Sequence, residues 1–244
     1  MTLHKRLTRS GFFSQPGVLF VVTIVFVFVV ASLLIISNRR EAAREHANTD
    51  TQWSLIARSI TARDHTIGNI DAPIQLVIFA DFQCKYCGSM FERKVPELRA
   101  TYGDRIVIAF RHLPLPSQPQ AQIEAEASEC IYQQGGEKAF WRFAHRIYTT
   151  PHFDKGIDLS TLSSLAIDAG VDRTQYDICM KKGGGKERVR QDTLEGTIAG
   201  ISITPSVVLK SQYRATIVEG GYGPGVKGAI EYLFETNKQI SQRK

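Results

Sequence analysis

Cys84 and Cys87, in the stretch Phe79-Ala-Asp-Phe-Gln-Cys-Lys-Tyr-Cys87, are the residues of this 244-residue chain best suited to covalent chemistry. A thiol pair at C-x-x-C spacing can close a disulfide, exchange it with an outside thiol, or ligate a soft metal. Zinc usually takes four ligands, and the chain has no second C-x-x-C and no His-x3–5-His pair, so no metal is expected. His65, His112, His145 and His152 are scattered and read as surface or core residues. That leaves redox chemistry. A thiol at the first turn of a helix faces unpaired N–H groups and the positive end of the dipole, and such thiols have pKa values of roughly 3.5–7.5 against about 8.5 when free. Cys84 is therefore the expected nucleophile, Cys87 on the same helical face the expected buried resolving thiol, and Lys85 with Tyr86 the pair expected to tune the thiolate.

The flanking elements place this pair at a strand-to-helix junction. Ile74–Phe79 is short, β-branched and aromatic, as a core strand should be. Met90, Phe91, Val95 and Leu98 recur at helical spacing. Arg105–Arg111 predicts a second strand, parallel to the first through a right-handed crossover. The stretch His65–Pro73 reads as turn-rich, and Leu113–Pro119 breaks the pattern. From Gln120 to about Gly200 the periodicity is helical, with one face of Ile123, Ala127, Cys130 and Ile131 and another of Phe140, Phe143, Ala144 and Ile147. Gly170 is a predicted helix C-cap and Asp172 a predicted N-cap. Lys181–Lys186 superficially resembles a phosphate loop but lacks the spacing, and reads as a flexible basic loop. Ile201–Leu209 and Tyr213–Val218 predict a hairpin, followed by a helix carrying Val226, Ile230, Leu233 and Phe234. Asp81 is expected to stabilise the turn before Cys84, with a proton relay as its second possible role.

Composition bounds the setting. The net charge of +6 is spread among acidic residues without aromatic-basic interleaving, which argues against nucleic-acid binding. Gly17–Ser37 carries no charge and is long enough to span a bilayer, longer than a signal-peptide core, so it predicts an uncleaved anchor, with a signal peptide cleaved near Val29-Val-Ala31 as the alternative. Three basic residues flank it on each side, so charge does not orient it. Cysteine usage does: an even set, Cys84, Cys87, Cys130 and Cys179, suits an oxidising compartment. The expected organisation is a cytoplasmic tail (1–16), a transmembrane anchor (17–37), a helical stalk or unstructured linker (38–63), a first α/β part (64–116), a helical insertion (117–200) and a second α/β part (201–244).

Gly68 followed by Asp71-Ala-Pro73, the Phe79–Cys87 stretch, Arg111-His-Leu-Pro-Leu115 and Gly200-Ile-Ser-Ile-Thr-Pro205 together resemble the DsbA-like thiol-disulfide oxidoreductases, over about Thr66 to Lys238. The resemblance implies a thioredoxin fold with an inserted helical domain. It further implies a cis Thr204-Pro205 bond beside the dithiol, with Thr204 and Pro205 binding substrate peptide. Cys130 and Cys179 resemble an additional cysteine pair of some relatives, expected as a structural disulfide, with two buried free cysteines as the alternative. No cofactor is implied. The implied partners are extracytoplasmic protein thiols, a DsbB-like membrane protein for reoxidation and the membrane itself, and the implied state is a monomer. The implied location is the bacterial inner membrane, with the soluble part facing the periplasm or the extracellular side. Lys85-Tyr86 departs from the Pro-His of the best-known oxidases, which points to milder oxidising power. An isomerase, a reductase, or a tethered chaperone using the groove beside Thr204-Pro205 are the alternatives.

Overall fold

Residues 22–40, 57–221 and 224–242 are described by a computed structural model, which divides the chain into units 1–49 and 50–244. In the first unit, Val22–Arg40 forms helix α1. At a rise of 1.5 Å per residue it is about 28 Å long, close to a hydrocarbon core of about 30 Å, and by length and composition it could cross a membrane. It continues past the expected end at Ser37, while 17–21 and most of the expected stalk, 41–56, lie outside the described residues.

The second unit is built on a five-stranded sheet in the order β1-β3-β2-β4-β5, with β1 His65–Gly68, β2 Ile74–Ala80, β3 Ile106–His112, β4 Ser206–Lys210 and β5 Ala215–Val218. Strands β2 and β3 pair in parallel and the remaining pairs are antiparallel. The central strands β2 and β3 are largely apolar because both faces are covered, with Gln75, Arg111 and His112 as their polar positions. Ile74, Leu76, Ile78, Ile106, Ile108 and Phe110 face one core, and Val77, Phe79, Val107 and Ala109 the other. Strand β1 corrects the turn-rich reading of 65–73. It is an edge strand of 4 residues that gains its ladder only by pairing with β3, and so short a segment shows no alternation of its own.

Helices α2 (Lys85–Ser89) and α3 (Val95–Tyr102) are joined by a π-helical turn at Met90–Lys94. Pro96 stands at the start of α3, and with no N–H it cannot extend the ordinary ladder. The insertion follows β3 as α4 (Ala121–Thr149), α5 (Leu159–Asp168), α6 (Arg173–Lys182) and α7 (Lys186–Ile198), and α8 (Pro224–Ser241) closes the fold. Gly136, at φ 61°, breaks α4 into two segments. Asp172 caps α6 by accepting from the Gln175 N–H at 2.9 Å.

The Gly183–Gly185 connection replaces the flexible loop expected at 181–186. A Cβ on Gly185 would stand 2.4 Å from the Glu126 carbonyl oxygen, so the glycine is there for close approach to α4.

Residues 57–63, expected as the end of a stalk, lie on the sheet, with Ala57 and Ile60 buried in the second core. An ionic network holds them. Arg111, from β3, is fully buried; it donates to Asp64 at 2.9 Å, to Glu195 at 2.7 Å and to the Arg58 carbonyl at 3.1 Å. Burial opposes ionisation of Asp64, but hydrogen bonds from Arg58 and Arg111 hold its carboxyl well below the usual range. Asp64→Ala leaves Arg111 buried without its main counter-charge, and an unfolding titration should show a loss of about 3–5 kcal/mol. The folded-state pKa is depressed, so this stabilisation is complete above the ordinary value of 3.8 and fades as pH falls below it.

Candidate active site

Strand β2 ends at Ala80, and the chain crosses to α2 through Asp81-Phe82-Gln83. Asp81 organises that crossing: its carboxylate accepts from the Gln83 N–H at 2.8 Å and the Leu115 N–H at 2.9 Å, and its carbonyl accepts from the Cys84 N–H at 3.1 Å. Cys84 is thereby held at the N-cap of α2, 7% exposed, with Cys87 one turn on and fully buried. Gly88 permits close packing here, because a Cβ on it would meet Phe153 at 2.9 Å.

Thr204 and Pro205 come to the same place from the loop before β4. Their peptide bond is cis, and the Thr204 carbonyl accepts the Cys84 S–H at 3.3 Å. The Thr204 hydroxyl is buried with no hydrogen-bond partner, free to turn toward a thiolate. Around this pair stand Tyr148, whose O–H donates to the Asp81 carbonyl at 3.3 Å, and Glu124 of α4, which accepts the Ile157 N–H at 3.0 Å.

The environment makes the two thiols unequal. The Cys87 thiol donates toward Cys84 and lowers its pKa; burial opposes this, and Thr204 with the N–H groups of Cys87 and Tyr86 completes the shift from 9.0 to about 6. Cys87 moves the other way, well above its ordinary value, through burial and then the hydrogen bond and charge of Cys84. Burial raises Asp81 to about 6 against its two N–H donors, with the Cys84 charge adding to the rise. Burial likewise raises Glu124 to about 7, the Ile157 N–H opposing and the Asp81 charge adding. The arrangement suits dithiol–disulfide exchange, with Cys84 the attackable sulfur and Cys87 the sealed one.

A thioredoxin family model matches residues 61–217. The chain belongs to the thioredoxin family. Among solved structures, its fold is similar to Pseudomonas aeruginosa DsbA2, at TM-score 0.60 and 23% identity, covering 72% of this chain and 97% of that one. It is also similar to oxidised BdbD from Bacillus subtilis, at TM-score 0.62 and 17% identity, covering 73% and 97%. A curated relative named as the Na(+)/H(+) antiporter NhaA 1 of Mycolicibacterium gilvum is 33% identical over 153 residues, 62% of this chain and 24% of that protein. The chain thus spans about a quarter of the length of the curated relatives it matches.

Within this thioredoxin-family fold the structure brings Cys84, Cys87, Thr204 and Pro205 together. Lys85 and Tyr86 are exposed, and the groups that lower the Cys84 pKa most are the Cys87 thiol, the Thr204 side chain and backbone N–H donors. Cys130 and Cys179 are bonded, joining α4 to α6 with Cα atoms 5.7 Å apart. Glu124 and Tyr148 escaped the sequence reading. A signal for Glu124 existed, since it precedes Ala127 and Ile131 on the face that apolar spacing marks as buried.

One further cluster offers metal-ligating atoms: His65, His112 and Glu129, within 4.8 Å of one another. Both imidazole Nε2 atoms lie 2.7 Å from one Glu129 oxygen, and His65 Nδ1 lies 3.3 Å from Glu137. A metal on His112 Nε2 would leave the proton on Nδ1, which is buried without a partner, whereas ligating histidines normally donate that proton to an acceptor. As it stands, the carboxylate accepts two N–H bonds and ties β1 and β3 to α4.

Proposed function

We propose that this chain is a membrane-tethered thiol:disulfide oxidoreductase that introduces disulfides into protein thiols outside the cytoplasm. The inequality of the two thiols carries the reading. A Cys84 thiol with a pKa of about 6 is largely ionised at neutral pH, so the reduced form is stabilised and the disulfide becomes the stronger oxidant. In the exchange, a substrate thiolate attacks Cys84 Sγ, and the electron pair of the Cys84–Cys87 bond leaves on Cys87. A second substrate thiolate attacks the substrate sulfur of this mixed disulfide and expels Cys84 as a thiolate, leaving the substrate oxidised and the enzyme reduced. Reoxidation falls to a membrane partner, in keeping with helix α1. Thr204, beside Cys84, offers main-chain hydrogen bonds to the substrate segment.

The sign of the pH dependence follows. Because the folded pKa of Cys84 is depressed, its contribution to the stability of the reduced form is complete above the ordinary 9.0, shrinks across the window down to about 6 and is absent below. Ultraviolet thiolate titration of the reduced chain should show a midpoint near 6. Equilibration with glutathione should give a potential well above the roughly −270 mV of thioredoxin, toward the roughly −120 mV of a strong oxidase. A potential at or below the thioredoxin value sinks the disulfide-introducing role in favour of a reductase.

A further inference from the structure

Glu124 comes from the helical insertion, yet it is buried against the dithiol end of the thioredoxin half. Its side chain is 0% exposed. One carboxylate oxygen accepts the Ile157 N–H at 3.0 Å, and the other has no hydrogen-bond partner at all. An ionised carboxylate with a bare buried oxygen is a costly arrangement, and a buried unsatisfied group in a native fold asks for a functional reason.

Asp81 is the contrasting case. It is almost as buried, but its carboxylate accepts two backbone N–H groups. Of the two acids, Asp81 is built to carry the charge and Glu124 to carry the proton. Tyr148 feels the charges of Cys87, Asp81, Cys84 and Glu124 together, and burial with these charges holds its phenol protonated. The Tyr148 O–H is committed to the Asp81 carbonyl. No basic side chain within this set supplies a counter-charge, so any new negative charge there calls for a proton.

We propose that Glu124 is a proton-positioning residue for this dithiol: it holds a proton while the Cys84–Cys87 disulfide is closed and, acting through Asp81, yields it when Cys87 leaves. The inference rests on dithiol exchange at this pair. In the opening step the incoming thiolate forms a bond to Cys84 Sγ, the Cys84–Cys87 bond breaks and its electron pair goes to Cys87 Sγ. The acid pair loses one proton to that sulfur, which becomes a neutral buried thiol, and one carboxylate is left behind. When Cys87 later attacks a mixed disulfide, its proton returns to the pair and the substrate thiolate departs. No other oxidant or reductant is required. Both shifted values fit: Glu124 and Asp81 titrate near 7 and 6, where a proton can move in either direction.

The test uses the full chain in detergent micelles, oxidised and mixed with excess dithiothreitol, with disulfide opening followed by rapid alkylation and mass analysis from pH 5 to 9. After correction for the ionised fraction of the reagent, wild type should open fastest below pH 7 and slow as Glu124 ionises. Glu124→Gln should be slower by roughly tenfold or more at pH 6 and should lose that pH step, with Glu124→Asp restoring part of both. A redox difference infrared spectrum of wild type should show a protonated carboxyl band in the oxidised form that diminishes on reduction. A Glu124→Gln profile that superimposes on wild type overturns the proposal, as does absence of the carboxyl band; the spectrum decides the matter if the variant does not fold. Failure of wild type to be opened at Cys84–Cys87 at any pH is a distinct result, overturning the enzyme reading and this inference with it.

Discussion

Cys84→Ser abolishes dithiol–disulfide exchange outright, whereas Cys87→Ser cannot close the disulfide and keeps only the capacity of Cys84 to form a mixed disulfide. The asymmetry follows from the site. Cys84 sits at the start of α2, close to the surface, with its negative charge supported by the Cys87 thiol, Thr204 and two backbone N–H groups. A serine hydroxyl does not ionise in that environment and forms no bond with an attacking thiolate. Cys87 is sealed beside it, so its loss removes both the partner with which Cys84 stores the disulfide and the internal thiol that can displace a group bound to Cys84. In a reduced-substrate assay, Cys84→Ser should show no turnover above background. Cys87→Ser, treated with an activated disulfide, should accumulate a mixed disulfide at Cys84 visible as an added mass on non-reducing analysis. Binding of an unfolded peptide should survive in both variants if the groove beside Thr204-Pro205 is intact. If Cys84→Ser retains the chain's whole biological effect, the tethered-chaperone reading replaces the enzyme.

Removing the Cys130–Cys179 bond is expected to have the second largest effect, on stability and not on exchange. The bond closes a loop with a sequence separation of 49, and in the chain-entropy model a closure of that size stabilises by about 4 kcal/mol. For a chain of this size the corresponding shift in Tm is roughly 8–16 °C. Cys130 is fully buried, so the paired Cys130→Ala/Cys179→Ala variant is the cleaner test; a lone serine at 130 would add an unsatisfied hydroxyl. The Gly183–Gly185 turn still holds α6 and α7 on α4, which argues for a destabilised but folded insertion. Thermal unfolding of the double-alanine variant alongside wild type measures the difference. An unchanged Tm would mean that helix packing alone fixes the insertion.

The features that depend on neighbours in sequence were legible without coordinates. Apolar runs long enough to show a period predicted β2, β3 and the helices of the insertion, and the cysteines declared a thiol site through their spacing and their place before a helix. Asp172 and Gly170 announced helix ends through local backbone chemistry. What the sequence could not rank were interactions between distant segments. Strand β1 exists only because β3 lies beside it, Gly185 serves close approach to α4, and Gly183 ends α6 in the left-handed conformation.

The same division runs through the site. Cys84 and Cys87 are identifiable from residue type and spacing alone, because a reactive dithiol is a local motif. The degree to which one sulfur is ionised and the other is not comes from tertiary structure. It takes Thr204, 120 positions away, to support the thiolate, and burial in the packed core to raise its partner. Glu124 shows the limit most clearly. Its residue type says acid and its spacing says buried face, but only the folded chain places it among Asp81, Tyr148 and the two sulfurs, where desolvation turns an ordinary carboxylate into a proton store. Spacing along a chain specifies which groups are available; dielectric and charge around each group are properties of the packed interior, and they decide which of those groups react.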